Sequence, residues 1–160
     1  MTDIFVLSAG ILLGSALYTD LGTGKIPNGL TLFFACAGIC LHLSGAGQGG
    51  AVAMKGLGTG LAVFMVPYAL GGTGAGDVKL FGALGALLGP LAVCWIFLYS
   101  ALFAGGVCLF RIARIKQSPL AEGFHFFPTA RRNREISPTF AYTGPAVLGY
   151  LSWTVVGGLF

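Results

Sequence analysis

Residues Leu80–Phe110 read LFGALGALLGPLAVCWIFLYSALFAGGVCLF, 31 positions without a charged side chain. As one helix this stretch would be about 46 Å long, well beyond the roughly 30 Å of a bilayer's hydrocarbon. Gly89-Pro90 lies inside it, and a Gly-Pro pair marks a turn. The stretch is therefore read as two helices joined by a tight hairpin, and the rest of the topology follows from that choice.

Working outward, the other uncharged runs are Ile4–Thr19, Ile26–Met54, Gly56–Gly76 and Ile136–Phe160. A spanning helix needs about 20 apolar residues. The first, third and last of these runs each fit one span, and Ile26–Met54 fits one span followed by the glycine-rich turn Leu43–Gly50. Charged residues make up only 9% of the 160-residue chain, hydrophobic residues 56%, and Gly accounts for 27 positions. So few charges could not cover the surface of a water-soluble domain, where about 25% is usual. The expectation is an all-α, polytopic membrane protein with a single integral-membrane domain over 1–160. Its six transmembrane helices are placed near 4–20, 29–44, 51–70, 75–88, 91–111 and 139–158. Asp3 stands where a cleavable signal would carry Lys or Arg, so helix one is read as a retained span.

Charge sets the orientation. With the N-terminus outside, Lys25, Lys79, Arg111, Arg114, Lys116, Arg131, Arg132 and Arg134 all fall inside and only Lys55 falls outside, as the positive-inside rule requires. A single long crossing at Leu80–Phe110 would put the Arg-rich segment on the wrong side. That segment, a basic cytoplasmic loop at about 112–138, is read as solvated and topology-fixing, although its Phe124, Phe126 and Phe127 would also suit anionic lipid headgroups. Membrane lipids are the expected surroundings, and no nucleic-acid partner is expected. Cys36, Cys40, Cys94 and Cys108 form no C-x-x-C pair and are read as buried structural thiols. His42 falls toward the outer end of helix two, far from Asp20 and Asp77, and His125 lies in the loop; both are read as structural or solvated. No metal and no cofactor is expected.

On this topology two carboxylates arrive at one depth. Asp20 closes helix one at its inner end and Asp77 opens helix four at the same end. Ionisable residues in spanning segments are costly and point to function. Two carboxylates about 3 Å apart share one proton, and such a pair can activate water against a peptide bond. A plainer role for Asp77 is to cap helix four. That role leaves Gly74 and Gly76 unexplained, whereas an extended substrate pairing with a strand-like GAGD stretch would account for them. An ion or proton transporter, or a non-enzymatic assembly subunit, stays open as an alternative.

Gly74-Ala75-Gly76-Asp77, followed by Val78-Lys79-Leu80, resembles the G-x-G-D signature of the type IV prepilin peptidases. Asp20, separated by five residues from Ile26-Pro27-Asn28, is similar to the family's first acid. The tail Ser137-Pro138-Thr139-Phe140-Ala141-Tyr142-Thr143-Gly144-Pro145-Ala146 is similar to the entry into the family's last helix but departs from it by an insertion-like spread, so only a structural role is carried over. The resemblance implies an aspartic endopeptidase of the bacterial inner membrane, multi-pass, removing the short basic leader of a prepilin or pseudopilin at the cytoplasmic face. It implies Asp20 and Asp77 as the catalytic pair, and Gly74 and Gly76 as shaping the active-site loop. Lys79 matches the motif, as interfacial support or simply snorkelling to phosphates. Bifunctional members carry an N-terminal segment with paired C-x-x-C motifs and also N-methylate their product. That segment is not seen here, so the resemblance is to a short, peptidase-only branch associated with Tad/Flp pili.

Overall fold

The computed structural model describes residues 2–24, 26–45, 47–69, 73–115 and 143–157. The basic segment from residue 116 to 142, with His125 and three of its arginines, lies outside the described residues, as does Lys25. Regular structure among the described residues is entirely helical: α1 (Thr2–Thr23), α2 (Asn28–Leu43), α3 (Gly50–Ala69), α4 (Ala75–Leu88), α5 (Pro90–Ile115) and α6 (Thr143–Gly157). Three helices are long and apolar enough to cross a membrane, over Asp3–Thr23, Gly50–Ala69 and Pro90–Val107.

The hairpin is present. Gly89 ends α4 with φ 86°, a conformation open to glycine at little cost, and its N–H bonds back to the Gly85 carbonyl at 2.8 Å. Pro90 then begins α5, where its missing N–H leaves no bond unmade.

Helix α4 is the axis of the bundle. It packs against α2, α3, α1 and α5, and every residue from Leu80 to Leu87 is buried. A helix apolar on all sides belongs in an interior, and the small residues of FGALGALL allow it. Gly56 and Gly60 of α3 lie on the backbone of α4, so a Cβ on Gly56 would collide with the Gly85 carbonyl and one on Gly60 with the Phe81 carbonyl. This is the small-xxx-small contact by which membrane helices approach closely. Phe64 stacks on Phe81 at 3.9 Å between centroids beside it. The 14-residue length of α4 is thus accommodated by protein neighbours.

Three expectations are corrected. Helix α1 does not close at Asp20 but runs on to Thr23, because Leu21-Gly22-Thr23 carries no stop. It ends at Gly24, whose φ of 63° and N–H bond to the Asp20 carbonyl form a left-handed glycine terminus. Helix α5 continues to Ile115, four residues past the expected end, taking Arg114 into its last turn rather than into the loop. Cys36, Cys40 and Cys94 are exposed, not buried. Cys36 and Cys40 are four residues apart and share the face of α2 turned away from the bundle, where a small weakly polar thiol sits comfortably against lipid. The side chain of Cys108 lies outside the described residues. His42 is buried at the far end of α2, its Nε2–H donating to the Leu87 carbonyl at 3.2 Å.

Candidate functional site

Four chain segments meet at one end of the bundle: the last turn of α1, the turn into α2, the start of α4 and the start of α6. Asp20 lies one turn before the end of α1 and is half-buried. Its Oδ2 accepts a hydrogen bond of 2.7 Å from the Thr143 hydroxyl, on the first residue of α6. Thr143 itself is 1% exposed.

Asp77 lies in the first turn of α4. Its Oδ2 accepts the Gly74 N–H at 3.2 Å, one half of a capping box, and the positive end of the helix dipole favours an acid there. The capping role weighed for Asp77 is therefore present. It occupies one carboxylate oxygen. The GAGD stretch is less strand-like than expected, since α4 already begins at Ala75 and only Gly74, at φ −84° and ψ 154°, is extended. Gly71 and Gly72 lie outside the described residues. Just before the helix, the Thr73 hydroxyl is buried with no hydrogen-bond partner among the described residues.

The turn Ile26-Pro27-Asn28 locks onto this loop. The Ile26 side chain covers Gly76, whose absent Cβ would stand 3.4 Å from the Ile26 Cβ. The Lys79 ammonium donates to Asn28 Oδ1 at 2.9 Å. Lys79 is exposed and engaged with protein across the α2–α4 junction. Asp20 and Asp77 thus stand on adjoining helices at this end of the bundle.

The structure thus brings Asp20, Asp77, Gly74, Gly76 and Lys79 to one end of the molecule. Sequence reasoning missed Thr143 and Asn28 as partners. Both were legible in principle, because the assumed topology starts α2 and α6 on the side where Asp20 and Asp77 stand. Each offers a side-chain hydrogen-bonding group within the first helical turn.

The chain was compared with known proteins. The type IV leader peptidase family matches it over residues 7–109. A prepilin leader peptidase/N-methyltransferase of Burkholderia pseudomallei strain 1026b is 36% identical over 112 residues, covering 66% of this chain and 36% of the relative. The protein of the same description from strain K96243 aligns with the same identity and coverage. The match thus spans little more than a third of the length of these curated relatives. No solved structure is a significant match. The family match extends over more than half of the sequence and contains the α1, α2 and α4 parts of the site, and the chain belongs to the type IV leader peptidase family.

Proposed function

We propose that this chain is an aspartic endopeptidase that removes the leader from prepilin or pseudopilin substrates, with Asp20 and Asp77 as its catalytic pair. The observation that carries this reading is the convergence of two half-buried carboxylates on adjoining helices at one end of a largely apolar bundle. Each has one oxygen held by a donor from the protein, Thr143 for Asp20 and Gly74 for Asp77. Their second oxygens have no hydrogen-bond partner among the described residues, so they are available to a water and to a scissile carbonyl.

Like charges at short range resist double ionisation, so such a pair retains one proton. The ionised carboxylate takes a proton from water as the water oxygen bonds to the peptide carbon. The protonated carboxyl gives its proton to the carbonyl oxygen. Collapse of the tetrahedral intermediate breaks the C–N bond, and the amine leaves with a proton returned through the pair. The Ile26–Gly76 and Lys79–Asn28 contacts keep the two supporting loops in register during this exchange.

Six crossings with the N-terminus outside belong to the same proposal. They put both acids at the cytoplasmic rim of a bacterial inner membrane, where the basic leader of a substrate would emerge. The test is co-expression with a candidate prepilin, reading leader removal by mass. Wild type is expected to trim the substrate, and Asp20→Asn and Asp77→Asn are each expected to leave it intact while accumulating normally in the membrane. Trimming by either Asn variant at the wild-type rate would rule out the dyad.

A further inference from the structure

The hydrogen bond between Thr143 and Asp20 ties α6, the last helix, to an acid on the first. Thr143 is 1% exposed and its hydroxyl points at Asp20 Oδ2 at 2.7 Å. We propose that Thr143 is a positioning residue for catalysis: its hydroxyl fixes the rotamer of Asp20 and thereby aims the other carboxylate oxygen toward Asp77. The assignment rests on the peptidase reading above and extends it to a residue that the family match, over residues 7–109, does not reach.

Two observations separate this role from simple helix attachment. First, α6 is held elsewhere. The Tyr150 hydroxyl donates to the Val6 carbonyl of α1, and Gly149 lies so close to α5 that a Cβ there would stand 2.8 Å from the Ile96 carbonyl and from the Ser100 nitrogen. The Thr143 hydroxyl is therefore not the anchor of α6. Second, Asp20 lies in the last turn of α1, where the helix dipole offers a carboxylate no help. Among the described residues its side chain has the Thr143 hydroxyl as its hydrogen-bond donor. A long-range side-chain bond at that point converts a loosely held acid into a directed one, which is what a pair of reacting carboxylates requires.

The experiment compares wild type, Thr143→Val and Thr143→Ser in detergent, following leader removal from a purified prepilin with kcat and KM measured separately, alongside thermal unfolding. Valine matches threonine in shape and lacks the donor; serine keeps the donor. We expect Thr143→Val to lose roughly 10- to 100-fold in kcat, the range of a hydrogen bond to a charged group, with KM and melting temperature unchanged. Thr143→Ser is expected to stay within about threefold of wild type. A valine variant as fast as wild type overturns the assignment while leaving the peptidase reading intact. So does a loss shared equally by the serine variant, or one that tracks a fall in melting temperature. A wild type that leaves the prepilin uncut overturns the peptidase reading itself, and the Thr143 role with it.

Discussion

The glycines at the two ends of α4 answer to different causes. Along the α3–α4 seam, Gly56, Gly60 and Gly85 are required by packing, because a Cβ at any of them would strike backbone of the facing helix. In the GAGD loop the space is there. A Cβ on Gly74 would stand 3.6 Å from the Asp77 carboxylate oxygen and 3.9 Å from the Gly76 nitrogen, and one on Gly76 would touch the Ile26 side chain at 3.4 Å. Neither Gly74 nor Gly76 has a positive φ. The resting fold therefore has a strong reason for the first set and a weak one for the second. Glycine in the loop is better explained by something that approaches from outside.

The largest effect expected at the loop end is that of the acids: Asp20→Asn or Asp77→Asn should lower leader removal by about 10²- to 10⁴-fold, the range of general acid–base catalysis, with unfolding unchanged. Retained activity would reduce the loop to structure like the seam. Next is Gly56→Ala, which should destabilise by about 3 kcal/mol, since backbone cannot rotate out of the way as a side chain can. A variant that melts with wild type would mean that the seam has slack. Third, Gly74→Ala should leave the free energy of unfolding within about 0.5 kcal/mol of wild type yet reduce cleavage about tenfold, the equivalent of roughly 1.4 kcal/mol of transition-state binding. Equal loss of stability and activity would erase the distinction between the two sets. The smallest effect belongs to Lys79→Met, which removes an exposed bond to Asn28 and should cost about 0.5 kcal/mol, measured by thermal unfolding.

Much of this architecture was legible before any coordinates. Gly89-Pro90 announced the hairpin, the uncharged runs announced helices, and the D-x5-I-P-N and G-x-G-D patterns announced which acids belong together. What stayed hidden depends on neighbours. Nothing in Leu21-Gly22-Thr23 says that α1 continues past Asp20, because the stop is a backbone conformation at Gly24. Hydropathy cannot distinguish a thiol facing lipid from one facing protein, so Cys36, Cys40 and Cys94 were misplaced. Thr143 is 123 residues from Asp20. The assumed topology puts both at one end of the bundle, but that their side chains meet depends on how α6 lies against α1, which leaves no local mark.

A rod sheathed by its own protein takes its dimensions from its companions. The stretch of α4 from Leu80 to Leu87 is shut away from surrounding lipid, so acyl chains of greater or lesser length would press on the outer helices and leave this inner one undisturbed. The acid at its head would keep its station while the bilayer around it thickens or thins.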